Sequence, residues 1–255
     1  MREFWVFMEF ALARGAAVWR GLERGLGTFS LGNIIALRGR AADLRRTLDT
    51  VIMQADRRID QLRQGKTQMK MPDDADWGWR PDVFATRLGQ ISSVVRSARH
   101  NVGASIAVHH NDTDPELIVR QFKNMGVDDL APFGLSLETY DFKGSFLSLA
   151  IDLPREAAEG LTKNHIFEVE GKLSLDHPMP VFVRLNVKHG PNVEELLQEI
   201  PNSANRLYLE FDLGYCDLHE ARVENVWLDL IFDDPSMNRM KISDMVFVRR
   251  PRAKF

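Results

Sequence analysis

The chain holds a single cysteine, Cys216, in 255 residues. No intrachain disulfide can form and no thiolate cage can hold a metal, so a reducing compartment is the simpler expectation. Long apolar runs are also missing: no window approaches the roughly 18 to 20 uninterrupted residues with which a helix crosses a bilayer. Glu3, Glu9 and Arg14 interrupt the apolar N-terminus before an uncharged signal-peptide core is established, so export by that route is not expected. Charge of one sign does not dominate. With 33 Lys and Arg against 36 Asp and Glu the net charge is −3, which removes the whole-chain case for nucleic acid. Catalytic signatures are absent as well: there is no GxSxG elbow, no Walker A loop and no GxGxxG after a strand.

What is present describes a globular chain, 44% apolar and 27% charged, long enough to bury a core. From Phe4 the apolar residues Phe4, Met8, Ala11, Val18, Trp19, Leu22 and Leu26 recur at helical spacings, with Trp5, Phe7 and Leu12 widening the stripe. The glycines from Gly21 to Gly32 then break the pattern. Ala41, Leu44, Leu48, Val51, Ala55 and Leu62 predict a second helix on a heptad seam, with Arg58 occupying one seam position. The reading is a helical hairpin or short coiled coil over 1–65, a linker over 66–80 and a β domain over 81–255. Residues 1–70 carry 13 Lys and Arg against 7 Asp and Glu, a net +6, so the remainder, with 20 against 29, carries −9. Two readings of this asymmetry compete: a solvated hairpin, pairing as a homo-oligomer through residues 41–62, or an interfacial anchor on an anionic membrane through residues 1–26. The location expected is cytoplasmic, with the membrane periphery as the second option.

Beyond Leu135 the period changes to two. Phe146–Asp152, Phe167–Leu175, Val181–Val187, Leu207–Leu213, Val226–Phe232 and Lys241–Val248 alternate between apolar and polar residues and are separated by turn sequences. Strands without intervening helices predict a mainly β fold, an antiparallel jelly-roll-like β-sandwich. Val193–Ile200 reads as one short helix, capped by Asn192 with Glu194 and Glu195 in its first turn. Residues 81–134 are less regular: Val102–His109 predicts a strand, and Pro115–Asn124 a short helix or an edge strand.

The ending VWLDLIFDDPSMNRMKISDMVFVRR, together with the long connection after Val187, resembles the jelly-roll sandwiches of the galactose-binding-like class, to which carbohydrate-binding modules belong. More closely, Ala131-Pro132-Phe133-Gly134, Gly144 to Leu149 followed by Leu153-Pro154, Arg184 to Asn192, Glu210 to Leu213 and Trp227 to Phe232 resemble an uncharacterised bacterial family of unknown function over about residues 75–255. That resemblance implies a cytoplasmic bacterial protein and assigns no catalytic residue.

Alternation decides which side chains share a face. If Val183, Leu185 and Val187 face the core, Arg184, Asn186 and Lys188 face away. By the same parity Glu210 and Asp212 oppose Leu209 and Phe211, Trp227 and Asp229 oppose Val226 and Leu228, and Glu168 and Glu170 oppose Phe167 and Val169. If these strands share a sheet, Arg184, Asn186, Lys188, His189, Asn192, Glu210, Trp227 and Asp229 form a candidate ligand face: an aromatic plane for the apolar side of a sugar ring, and amides and charges for its hydroxyls. The competing reading is a solvated face on which opposite charges pair across strands.

No metal, cofactor or catalytic residue is assigned. His109, His110, Asp112, Asp114 and Glu116 lie close together, but Pro115 interrupts them and no glycine supplies the sharp turn of a calcium loop. His219-Glu220 lacks the HExxH spacing, and Asp233-Asp234 precedes Pro235 in a turn. Cys216 lies three residues from His219 but has no positive neighbour in sequence, so it reads as a core filler. The function expected is therefore a non-enzymatic binding or scaffolding protein with a glycan or protein partner. Alternatives are an enzyme acting on carbohydrate or a related polar metabolite, using Asn186, Lys188, His189, Glu210 or Asp229, and a peripheral membrane protein.

Overall fold

The computed structural model describes residues 2–63, 69, 71–126, 129–201 and 206–252, with the side chains of 2–11, 49 and 52–63 outside the description. The side chains of Phe4, Trp5, Phe7, Ala55, Arg58 and Leu62, on which part of the helical reading rests, therefore lie outside the described residues. The chain divides into two compact units, Met1–Ala55 and Asp56–Phe255.

The first unit consists of α1 (Arg2–Gly25), a 3-10 turn at Leu26–Thr28, and most of α2 (Leu31–Arg63). Ser30 starts α2: its hydroxyl accepts the Asn33 N–H at 3.4 Å and so satisfies one orphan donor of the first turn. No described helix is long and apolar enough to cross a membrane.

The second unit is a sandwich of thirteen strands among the described residues. They are β1 (Trp77–Trp79), β2 (Ser92–Val95), β3 (Arg99–Val102), β4 (Ile106–His110), β5 (Leu117–Lys123), β6 (Phe133–Thr139), β7 (Leu147–Asp152), β8 (His165–Leu175), β9 (Val181–His189), β10 (Asn192–Ile200), β11 (Leu207–Asp212), β12 (Val223–Phe232) and β13 (Asn238–Pro251). A short helix, α3 (Asp82–Ala85), follows β1. One sheet has the order β11-β8-β13-β6-β5-β2, with β1 added beside β13; the other has the order β10-β9-β12-β7-β4-β3. Every pairing is antiparallel. Successive strands pass repeatedly from one sheet to the other, as in a jelly roll. The alternating apolar residues meet between the sheets, where Phe84, Phe167, Phe211, Phe247, Leu147, Leu149 and Leu185 are fully buried.

The six strands anticipated from alternation all form, and they divide equally. β7, β9 and β12 lie in one sheet and β8, β11 and β13 in the other. Three local expectations are corrected. Val193–Ile200 is strand β10, not a helix, because Gly190 and Pro191 make a two-residue hairpin turn that sends the chain straight back along β9. Gly190 has φ +60°, which suits the first central position of a II′ turn and costs glycine nothing. Asn192 consequently opens a strand instead of capping a helix. Residues 117–123 form an interior strand, β5, between β2 and β6, neither helix nor edge. Finally, Trp77–Trp79, within the stretch read as a linker, pairs with β13. Trp77 packs edge-on to Phe167 with ring centroids 6.1 Å apart, and Trp79 packs on Phe247 at 5.7 Å.

Buried polar groups close the sandwich. Arg249 bonds Asp76 at 2.9 Å and the carbonyls of Ala157 and Glu159 at 3.0 and 2.8 Å. Gln121 donates to the carbonyls of Val83 and Thr86 and accepts the Leu88 N–H. Arg80 grips both oxygens of Asp244 at 2.9 Å beside the irregularity in β13 between Ile242 and Asp244.

Candidate functional site

Strand parity places Arg184, Asn186 and Lys188 of β9 on the outer face of the six-stranded sheet, and register sets them against β12. Asp229 lies opposite Arg184, Trp227 opposite Asn186, and Asn225 opposite Lys188. On the far side of β12, β7 supplies Asp152 beside Trp227 and Ala150 beside Asp229. Ala107 and His109 of β4 continue the face. Trp227 keeps part of its surface in solvent next to these small side chains, while Asp229 and Asn186 are buried.

The polar centre of this face is Asp229. Its Oδ2 accepts Arg184 Nε at 3.2 Å, an Arg184 terminal nitrogen at 2.9 Å and Asn186 Nδ2 at 3.0 Å. The other terminal nitrogen of Arg184 reaches Glu195 of β10 at 3.4 Å. Asn186 also donates to the carbonyls of Arg184 and Trp227 at 3.2 and 3.4 Å, which fixes its amide with nitrogen toward the acceptors. Asn186 Oδ1 is left buried with no donor. Ser105 Oγ, His110 Nδ1 and His189 Nε2 are likewise buried without a hydrogen-bond partner elsewhere in the sandwich. The cross-strand charge pairing that competed with the ligand reading is therefore present in Arg184 and Asp229.

Not every candidate joins this face. Lys188 lies on it but is tied to Glu224 at 2.7 Å. His189 has the opposite parity and is only 3% exposed; its Nδ1 accepts the His219 N–H at 3.2 Å and its Nε2 faces Glu194 at 3.7 Å. Asn192 sits at the β9–β10 turn. Glu210 belongs to the outer face of the other sheet, where Arg250 bridges it, at 3.0 Å, to Glu168, and Tyr208 donates to it at 2.8 Å. Burial, reinforced by the bond to Glu210, pushes the Tyr208 phenol up to about 12. The outer faces of two packed sheets point in opposite directions, so Glu210 and Asp229 cannot converge on one substrate as an acid/base pair. The condition on which the full candidate face depended, that these strands share one sheet, is met only by β9 and β12. The face also gains residues the sequence reading passed over: Ala107, His109, Ser148 and Ala150. Their signal was small or polar side chains at the outward positions of otherwise strong strands.

Two further candidates lie elsewhere in the sandwich. Asp112 accepts the Lys143 N–H at 2.8 Å and the Asp114 N–H at 3.1 Å, and the first of these bonds leads in holding its carboxyl below the ordinary carboxylate range. Both oxygens are thus engaged in turn geometry, and among the described residues no group of three or more His, Cys, Asp or Glu is placed to hold a metal. Cys216 is buried, and burial, with Glu194 and Asp212 nearby, pushes its thiol up to about 11. Native protein should therefore react with a disulfide reagent at neutral pH at least tenfold more slowly than urea-unfolded protein, roughly as the thiolate fraction dictates. Equal rates would show that the thiol is accessible and activated.

Several solved structures align with part of the chain at low identity. The enzymatically active domain of bacteriophage CBA120 tailspike protein 4 aligns with a TM-score of 0.43 and 8% identity over 57% of this chain, which spans 19% of the tailspike chain. The family 11 carbohydrate-binding module of Clostridium thermocellum, solved with a β-1,3-1,4-mixed-linked tetrasaccharide, aligns with a TM-score of 0.37 and 9% identity over 64% of this chain and 98% of the module. An exo-β-agarase aligns with a TM-score of 0.37 and 12% identity over 58% of this chain and 24% of its own. No curated protein matches in sequence. Residues 3–255, helices and sandwich together, match the family of unknown function DUF6478, and the chain belongs to that family.

Proposed function

We propose that this protein is a non-enzymatic glycan-binding module whose ligand lies on the outer face of the six-stranded sheet. The observation that carries the reading is a partly exposed aromatic ring, Trp227, beside the Arg184–Asn186–Asp229 cluster, whose Arg184 remains accessible to solvent. A pyranose presents this combination in reverse: an apolar ring face that lies on an aromatic plane, and hydroxyls that bond to guanidinium and carboxylate groups. Ala150, opposite Asp229, and Ala107 beyond it keep the face low next to the carboxylate. Glu210 lies on the opposite face, and Asp229, which shares its face with Asp152, is already bonded to Arg184 and Asn186, so the proposed chemistry is binding without hydrolysis.

The test is a titration of the full chain with a panel of soluble oligosaccharides, read by tryptophan fluorescence and calorimetry. A ligand should bind the parent protein and lose at least about tenfold in affinity in Trp227→Ala, with a comparable loss in Asp229→Asn, both variants keeping the parent circular dichroism. No binding across neutral and acidic sugars, or binding that ignores both substitutions, would remove the reading.

A further inference from the structure

Among the described residues of the helical unit, several large apolar side chains are exposed. Leu12 and Val18 of α1, and Leu31, Ile35, Leu44, Leu48 and Val51 of α2, are between 39% and 73% exposed. Leu44, Leu48 and Val51 form one stripe with Ala41, at alternating spacings of three and four, on a helix of 33 residues that is about 50 Å long. The stripe itself runs about 15 Å, and with the other exposed apolar residues of both helices it forms the kind of surface that marks an interaction site.

The charge beside the stripe indicates what covers it. Residues 12–48 contain seven arginines and only two acidic residues, Glu23 and Asp43, and Asp43 is paired with Arg46. By helical position Arg40 flanks the stripe on one side and Arg45 on the other, with Arg38 just beyond Arg45 and Asp43 beyond Arg40. Long arginine side chains on both margins of an apolar strip can reach upward to phosphates while their stems and the leucines enter an apolar phase. A second copy of the chain fits less well, since a parallel pairing of two α2 helices would set Arg40 of one against Arg45 of the other. The sequence outside 1–70 is acidic, with 20 Lys and Arg against 29 Asp and Glu, so an anionic surface would repel it and orient the chain helices-first.

We propose that residues 12–48 form a peripheral docking element for an anionic phospholipid bilayer, with the α2 stripe seated at the headgroup boundary and its flanking arginines on lipid phosphates. The element lies flat on the membrane and does not cross it.

The full chain is mixed with vesicles of phosphatidylcholine alone or with about a third phosphatidylglycerol, and partition is measured by co-sedimentation. It should sediment with the anionic vesicles, release as salt rises, and stay free with neutral ones. Arg14→Gln, Arg38→Gln and Arg40→Gln together should weaken partition on the order of a hundredfold. Leu44→Gln with Leu48→Gln should abolish it; all five positions are exposed, so the fold should be unaffected. In unmodified protein, anionic vesicles should slow hydrogen exchange across residues 12–48. No sedimentation, equal sedimentation with both vesicle types, or protection confined to the sandwich would overturn the proposal. So would a dimer, detected by analytical ultracentrifugation, that the Leu44 and Leu48 substitutions dissociate, because the stripe would then belong to a second copy.

Discussion

Replacing Arg80 with alanine should cost about 3–5 kcal/mol at pH 7, as expected when one partner of a buried ion pair is removed and the other charge stays behind. Arg80 and Asp244 form a two-pronged bond, both contacts 2.9 Å, with their side chains only 10% and 15% exposed. Burial pushes the Asp244 carboxyl above its ordinary range, and Arg80 opposes that push. A carboxyl whose folded-state pKa lies above its unfolded value favours folding below the unfolded pKa and loses that contribution as pH rises through the folded one. Without Arg80 the folded-state pKa climbs further, so the penalty should be full at pH 7 and shrink toward pH 4, where Asp244 takes up a proton. Urea unfolding of parent and variant at both pH values measures the difference. Adding Asp244→Asn should recover part of the loss at pH 7. A penalty independent of pH, or below about 1 kcal/mol, would mean that water reaches the pair.

Phe167→Ala is the second large effect, also about 3–5 kcal/mol, because it empties a fully buried position in the middle of the core. For a unit of this size such a loss lowers the melting temperature by roughly 10 °C or more. The substitution also tests whether Trp77–Trp79 is integral to the sandwich. The Trp77 and Phe167 rings meet at an interplanar angle of 71°, a geometry that contributes about 0.5–1.5 kcal/mol beyond area burial. In a double-mutant cycle the pair Trp77→Ala and Phe167→Ala should therefore be non-additive by that amount. Strict additivity would show that β1 is not packed against the core in solution.

The fold was legible where one periodicity stood alone. The strands FLSLAID, VFVRLNV and VWLDLIF alternate so strongly that their apolar residues could only face a shared core, and their boundaries shift by a few residues at most. Val193–Ile200 was misread because its sequence satisfies two periods at once. Val193, Leu196, Leu197 and Ile200 fit a helix, yet along β10 Leu196 and Ile200 face inward while Val193 and Leu197 face out. The GP turn, a non-local decision, chose between them. β1 was hidden because a three-residue strand carries no detectable period; its evidence is a contact with residues about 170 positions later. The candidate face was half legible for the same reason. Parity within a strand put Arg184, Asn186, Trp227 and Asp229 outward, but sheet membership is set by pairing, and that separated Glu210 from them.

The strand order also bears on how the chain is made. β12 lies between β9 and β7, and β13 lies between β8 and the pair β6 and β1. The last two strands in sequence thus occupy interior positions, one in each sheet. Before residues 223–251 are synthesised, each sheet exists only as two separate halves with open hydrogen-bonding edges at β7 and β9, and at β6 and β8. At roughly 5–20 residues per second such edges stay unpaired for many seconds, the condition in which β-rich nascent chains cross-pair and recruit chaperones. Closure then comes late and nearly all at once, through contacts of high sequence separation, so the sandwich has no smaller stable precursor to build upon during translation.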